Sequence, residues 1–385
     1  MKVAVVYNPD ARGIINVFGI QNREWYPQAT IDRVVGALRR AGHEVELIAG
    51  DRFLLTRLNK FLPRLSRKRA NGIVLNMALG IQGKCRYTHV PAILEVAGIP
   101  YTSSSPLGHI LALDKVVAKQ IFIASGLPTP AYRVFSSPEE RAHSLDFPLI
   151  VKPRGEAASF GLKIVHDEKE LREEVDRTLN EYKQTVLVEE FIQGREINVG
   201  ILGNSPPEMF PVLELLLDGG EGEVYTHEAK FARSRRKKAR KVCPADLPAE
   251  TAAYVRELAG RAFQALSVYD FARVDFRLDK FNRPYILEVN SMASLNPGSS
   301  FVYAAGRAGY SYDQLVNKIV EVAYRRYATE EPDLFNAEKD GLGEGERKPG
   351  ARGGRGRQTR NTGARARRVK GTKGRRKGGK HVSGK

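Results

Sequence analysis

Few conformations are open to residues 273–290. Two runs of alternating apolar and polar residues flank Lys280-Phe281-Asn282-Arg283, the pattern of an antiparallel hairpin laid on a core. A period of two puts Val274, Phe276, Leu278, Tyr285, Leu287 and Val289 on one face. Arg273, Asp275, Glu288 and Asn290 share the other. A tight turn with an even number of residues sets Asp275 opposite Glu288 and Arg273 opposite Asn290. Facing carboxylates repel, and a divalent cation relieves the repulsion. Two carboxylates with an amide oxygen suit a hard ion such as Mg2+. The pattern alone is equally that of a solvated face on which Arg273 balances Asp275.

Such a hairpin needs further elements to bury its apolar face. Residues 2–7, 44–49 and 72–76 are short apolar runs, while 30–41 and 90–97 have helical spacing. This alternation predicts βαβ units on a parallel sheet, a domain over residues 1–105. Gly42 and Gly98 stand where helices end. Residues 107–125 read as one long helix closed by Gly126, after which Pro128 and Pro130 impose extended chain. Strand patterns and a charged helix at 169–182 predict an α+β lobe over 106–193 with an antiparallel sheet. More strands, a polar loop at 219–241 and helices at 249–266 and 313–327 predict a second α+β lobe over 194–330. The fold class is α/β followed by α+β.

The net charge of +18 suggests a nucleic-acid partner until it is located. Residues 347–385 hold 16 Lys and Arg and no Asp or Glu, which leaves +2 for residues 1–346. The stretch lacks aromatic residues and is rich in glycine, so it buries too little surface to offset the entropy of ordering. Residues 331–385 are expected to be a disordered tail. A polyanion or nucleic acid is its candidate partner, and a role in solubility the alternative. Cys85 and Cys243 have no metal-type spacing and suit a reducing, cytoplasmic setting. No run approaches the ~18 apolar residues of a membrane span, and no basic-then-apolar leader opens the chain. A soluble protein is expected.

Three further segments can carry chemistry. Val151-Lys152-Pro153 precedes a loop of small residues from Arg154 to Gly161, where backbone N–H groups and an ammonium can meet phosphate oxygens. A plain glycine-bearing turn has the same composition. Val186-Leu187-Val188 runs into the acceptors Glu189 and Glu190, followed by Gly194 and Glu196, either a capped strand end or a site for an adenine edge and a ribose. Lys115, after Leu113-Asp114, reads by itself as a surface lysine on the long helix.

In this order and spacing, together with His227-Glu228-Ala229-Lys230 and Pro297-Gly298-Ser299, these segments resemble the ATP-grasp superfamily and, within it, the D-alanine-D-alanine ligase branch. The resemblance covers residues 1–328 and implies an ATP-grasp fold behind an N-terminal pre-ATP-grasp domain. By that resemblance Lys115 and Lys152 hold ATP phosphates, and Ser159 sits in the loop covering them. Glu189 and the backbone near Ile192 read adenine, Glu196 the ribose, and Lys230 reaches the nucleotide from a mobile loop. Asp275, Glu288 and Asn290 coordinate Mg2+, Arg273 faces the reacting carboxylate, and Ser299 helps to bind it. The implied activity is an ATP-dependent carboxylate-amine ligation through an acyl phosphate. Its partners are a small-molecule carboxylate and an amine, and a homodimer is compatible with it.

The departures from that branch concern the substrate. Asn76-Met77-Ala78-Leu79-Gly80 stands where those enzymes carry His-Gly and Glu-Asp-Gly pieces. Ala158 and Phe231 align with a serine and a tyrosine whose hydroxyls close the mobile loop. The first loop, from Asn8 to Gly13, lacks the glutamate that clamps an ammonium, and Glu24 is the nearest substitute. Arg233, Arg235, Arg236, Lys237 and Lys238 form a basic lid, either solvated or in contact with an anionic substrate. A substrate other than a D-alanine pair is expected. Residues 86–89 stand where the family places substrate contacts, Trp25 and Tyr26 read as a packed loop rather than the acceptor side, and His89 and His227 as packing or capping residues. An ATP-grasp phosphotransferase and a nucleotide-sensing protein acting through its basic tail are the rival activities. The second has no need of Asp275, Glu288 and Asn290 together.

Overall fold

The computed structural model describes residues 1–330 apart from 9–13, 18, 20, 64–69 and 217–238. Strands β1 (Lys2–Tyr7), β2 (Glu44–Ala49) and β3 (Gly72–Asn76) form a parallel sheet in the order β2-β1-β3. Such a sheet is covered on both sides, so β1 is apolar and buried from Val3 to Val6. Val3 and Val5 pack on Ile31, Val34 and Leu38 of α1 (Gln28–Arg40). Ala4 and Val6 pack on Leu54 and Leu58 of α2 (Leu54–Phe61) and on Val90 and Leu94 of α3 (His89–Ala97). Gly98 ends α3 in the left-handed conformation at φ 64°, as its position in the sequence predicts.

The stretch expected as one helix is two, α4 (Pro106–Leu113) and α5 (Lys115–Ala124). Asp114 breaks it with ψ 96° and accepts from the N–H groups of Val116 and Val117, both at 3.1 Å. Aspartate is a strong N-cap, and its carboxylate also holds Arg154 at 2.7 Å. The apolar period runs through the break, so periodicity alone misses it. The break makes Lys115 the first residue of α5 rather than a side chain on a helix surface.

An antiparallel four-stranded sheet follows, in the order β4-β7-β5-β6. Its strands are β4 (Tyr132–Phe135), β5 (Leu149–Pro153), β6 (Lys163–Val165) and β7 (Val186–Glu190), with α6 (Glu168–Tyr182) between the last two. A six-stranded sheet comes next, made of β8 (Arg195–Leu202), β9 (Glu208–Met209), β10 (Leu213–Leu216), β11 (Arg240–Val242), β12 (Phe271–Leu278) and β13 (Pro284–Asn290). Helix α7 (Ala249–Ala265) packs on this sheet, Val255, Leu258 and Phe263 meeting Val274, Phe276 and Ile286. Helices α8 (Ser300–Arg307) and α9 (Tyr312–Glu330) close the described chain. Leu315, Ile319 and Val320 of α9 share a core with α1 and the parallel sheet, and Arg40 pairs with Asp313 at 2.7 Å.

The β12–β13 hairpin pairs Asp275 with Glu288 and Arg273 with Asn290, as the pattern predicts. Past Asp275 the register slips, and Phe276 faces Ile286. The slip corrects the expected apolar face: Ile286 is buried, while Tyr285 and Leu287 are half-buried. Shifting a strand by one residue exchanges its faces. The bulge leaves Leu287 and Glu288 both lining the same cleft.

Candidate active site

The cleft is bordered by β5 and β7 of the four-stranded sheet, β8, β12 and β13 of the six-stranded sheet, and the start of α5. It brings together Lys115, Lys152, Ser159, Glu189, Ile192, Glu196, Asp275 and Glu288. These residues span more than half of the described chain in sequence, and strand pairing delivers them to one place. β5 pairs with β7, placing Ile150 beside Glu189, and β12 pairs with β8, placing Arg277 beside Glu196.

Cations meet carboxylates throughout the cleft. Lys115 is buried, donates to the Glu156 carbonyl and lies 3.3 Å from Glu288. Lys152 pairs with Glu189 from one side, and Lys119 pairs with it from the other at 2.8 Å. Burial pushes the Glu189 carboxyl up, but the two ammonium groups outweigh it and hold its pKa below the ordinary range. Arg273 grips Asp275 through two bonds of 2.6 Å. Asn290 donates to Asp275 at 3.0 Å and to Glu288 at 3.4 Å. Turning that amide over presents its oxygen to the same point.

Two carboxylates and one amide make a small donor set. Among the described residues no three His, Cys, Asp or Glu side chains converge on a metal-sized point. Two carboxylates with an amide suit Mg2+, which is held by one or two carboxylates and completes its shell with substrate phosphates.

In the loop after β5, Ala158 and Ser159 adopt φ of 54° and 58°. Two successive L-residues in the left-handed region are strained by about 1–2 kcal/mol each, and the surrounding contacts hold them there. Gly155 donates to Gln184 at 2.7 Å, and Gln184 donates to Glu156 at 3.0 Å. At Gly161, with φ 68°, a Cβ would stand 2.8 Å from the Tyr182 ring.

Beside this loop lies a second, closed network. Arg86 is almost fully buried and donates to Asn22 at 3.1 Å, to the Gly155 carbonyl at 3.0 Å, to Glu24 at 3.1 Å and to Glu156 at 3.4 Å. The Tyr87 hydroxyl donates to Glu24 at 2.9 Å. Burial raises the Glu24 carboxyl, against the pull of Arg86 and Tyr87. Glu24 does not line the cleft, and its carboxylate accepts from Arg86 and Tyr87. Arg86 turns inward to this network, Tyr26 packs against Tyr87 and Leu79, and Trp25 is exposed.

Comparison with known proteins bears on what this cleft is. The family profile described as the D-ala D-ala ligase C-terminus matches residues 121–321. A D-alanine--D-alanine ligase of Bordetella petrii is 36% identical over 60% of this chain and 70% of its own. That of Carboxydothermus hydrogenoformans is 32% identical over 78% of this chain and 95% of its own. This chain belongs to the D-alanine-D-alanine ligase family. An uncharacterized protein of Sinorhizobium fredii, y4sG, is 45% identical over 85% of this chain and 98% of its own. The crystal structure of a D-alanine--D-alanine ligase from Bacillus anthracis complexed with ATP shares the fold at a TM-score of 0.66 and 24% identity, covering 86% of this chain and 99% of that one.

Not every residue expected from the family motifs meets in the cleft. Ser299 caps α8, accepting from the Val302 N–H at 3.3 Å and donating to the Ser294 carbonyl at 2.6 Å. Arg273 and Asn290 touch the cleft through Asp275 and Glu288 and do not line it. Lys230, Phe231, His227 and the basic stretch 233–238 lie outside the described residues.

Other cleft residues escaped the motif reading. Arg277 is buried, stacks over Phe191 at 4.6 Å and donates to the Gly194 carbonyl at 2.7 Å. Glu156 joins the cleft to the Arg86 network. Lys119 did carry a signal: it stands three residues before Phe122 and one after Ala118, on the apolar stripe of α5. A larger open depression, about 650 Å³, lies against α9 near His43 and Tyr310, where Lys318 pairs with Glu321 at 3.1 Å.

Proposed function

We propose that this protein is an ATP-dependent carboxylate-amine ligase that forms an amide or peptide bond and uses a substrate other than two D-alanines. The observation that carries the reading is the convergence of Lys115, Lys152, Glu189, Glu196, Asp275 and Glu288 on one cleft. Lys115 and Lys152 would neutralise ATP phosphates, with the strained turn at Ala158 and Ser159 covering them. Glu189 and the chain at Ile192 would take the adenine edge, Glu196 the ribose hydroxyls, and Lys230 the nucleotide from its loop. Asp275, Glu288 and Asn290 would hold Mg2+, which supplies charge neutralisation at the phosphates when bound.

In the first half-reaction a carboxylate oxygen attacks the γ-phosphorus and ADP departs; in the second an amine attacks the acyl phosphate and phosphate departs. Negative charge grows on oxygen in both. Arg273, two residues from Asp275 on β12, would supply the guanidinium that answers it, and Ser299 would help to bind the carboxylate substrate. A closed cleft keeps water from the acyl phosphate. Small-molecule substrates accord with the family. No described helix is long and apolar enough to cross a membrane. The free thiols of Cys85 and Cys243 support a cytoplasmic setting. The basic residues 347–385 would serve a polyanion contact separate from the cleft.

Two residues support the change of substrate. Ala158 offers no hydroxyl, and the Glu24 carboxylate already accepts from Arg86 and Tyr87, so neither remains to close over a first D-alanine. A site built on such bonds loses discrimination when they go, by ~10⁴-fold in strong cases. The test is a screen of amino acids, peptides, hydroxy acids and small carboxylates for release of ADP and phosphate, with mass spectrometry of the product. An acidic or larger carboxylate is expected to outperform D-alanine. Efficient turnover with D-alanine alone and no better partner would overturn the substrate inference.

A further inference from the structure

Glu189 is buried between two lysines, and only one of them reaches the cleft. Lys152 comes from β5 and lines it. Lys119 comes from α5, is fully buried, and is not among the cleft residues. Besides its ion pair with Glu189 at 2.8 Å, its ammonium donates to Thr129 Oγ1 at 2.6 Å and to the Pro130 carbonyl at 3.4 Å, and lies 5.5 Å from the centre of the Tyr132 ring. Thr129 is itself anchored, donating to the Ile286 carbonyl at 2.8 Å. Lys119 is therefore held by the segment between α5 and β4, which is itself bonded to β13.

One carboxylate needs one cation, and here it has two. Were Lys152 to leave Glu189 with nothing else beside it, a bare carboxylate would be stranded in the interior, which is costly. With Lys119 fixed on the other oxygen, Lys152 can depart at small cost. A lysine suits that exchange, being a point charge on a flexible stem. We propose that Lys119 is a positioning residue, the fixed counterion of Glu189, and that it frees Lys152 to leave the carboxylate for a nucleotide phosphate. This rests on the reading of the cleft as an ATP site. Lys119 touches no substrate. It decides which of two states Lys152 occupies.

The groups facing Lys119 are Glu189, Lys152 and the Tyr132 ring. Burial pushes its pKa down to about 8, against the pull of Glu189. The free protein therefore holds the ammonium below that value and loses it above. Once it is lost, Glu189 retains only Lys152, and nucleotide affinity falls.

Calorimetric titration of the full chain with Mg2+ and ATP tests this on wild type, Lys119→Met, Glu189→Gln and the double variant. Lys119→Met is expected to weaken ATP binding by roughly 30-fold, the scale for removing one partner of a buried charge pair. In the Glu189→Gln background the same change is expected to cost nothing further, because no charge is left to balance. Wild-type affinity should fall between about pH 7 and about pH 9, with an inflection that Lys119→Met lacks. A Lys119→Met loss that persists undiminished beside Glu189→Gln would show a structural strut and overturn the proposal, as would wild-type binding by Lys119→Met. If that variant does not fold, Lys119→Gln takes its place in the same measurements, with wild-type binding by it overturning the proposal. A wild type that binds no ATP refutes the nucleotide reading beneath it, a different result from any of these.

Discussion

The nucleotide side of the cleft and the side facing Glu24 both bury carboxylates, yet they neutralise them by different means. On the nucleotide side Glu189 and Glu288 meet the ammonium groups of Lys152, Lys119 and Lys115. On the other, Glu24 and Glu156 share the single guanidinium of Arg86, whose remaining N–H groups go to Asn22 and the Gly155 carbonyl. A guanidinium fork with four acceptors is fixed in place, whereas an ammonium can be traded for another charge. The difference teaches which carboxylates sit beside exchangeable ammonium groups and which are held by a fixed fork. Glu156 belongs to both, since its carbonyl takes Lys115 and its carboxylate takes Arg86.

The largest effect expected from this contrast is on stability. Arg86→Met leaves Glu24 and Glu156 buried without their cation, and breaking a buried pair costs about 3–5 kcal/mol. Urea unfolding should show a loss of that order. A loss below about 1 kcal/mol would mean that this side is not held by this network.

Glu288→Gln should behave in the opposite way. It removes a carboxylate that faces Asp275, so the fold should stand, while ATP turnover drops by roughly 10²-fold, about 2.7 kcal/mol of transition-state stabilisation. Steady-state ADP release at saturating Mg2+, with a substrate pair found by the screen, measures it. Near-normal turnover would remove Glu288 from the metal set.

Per pH unit, the smallest effect concerns helix α4. His109 on α4 lies edge-on to Tyr87, with its ring nitrogens 3.1 Å from Ser103 Oγ and 2.9 Å from Ser291 Oγ, the residue after Asn290. Burial pushes its pKa down to about 3, from 6.5. The folded protein keeps the ring neutral while the unfolded chain takes up a proton below about 6.5, so the contribution is complete above that pH and is lost as pH falls toward 3. The slope is about 1.4 kcal/mol per pH unit for one proton. His109→Gln should flatten the acid limb of the stability profile by up to that slope, and an unchanged limb would show that the ring does not contribute to it.

What was legible in the sequence was local in origin. The apolar run of β1, the glycine that ends α3 and the pairing of Asp275 with Glu288 follow from period-two alternation and one turn. Lys115, Lys152, Glu189 and Glu196 could be singled out in the sequence because each sits near a strand or helix end with a characteristic neighbour, and the fold brings them to one cleft. The break at Asp114 was missed because the helical period continues across it, and the bulge at Leu287 because alternation carries no record of one extra residue. Arg86 gave no signal that it would turn inward, since its acceptors come from residues 22–24 and 155–156.

By itself the sequence determined the elements and their polar faces, because backbone geometry translates periodicity into sidedness over a few residues. Only the tertiary structure decided which charge neutralises which. Lys119 and Glu189 are 70 residues apart in numbering, and Arg86 and Glu156 likewise, separated by 70. A buried ion takes whatever partner the packing of distant elements delivers, since leaving it unpaired costs more than any local preference can supply.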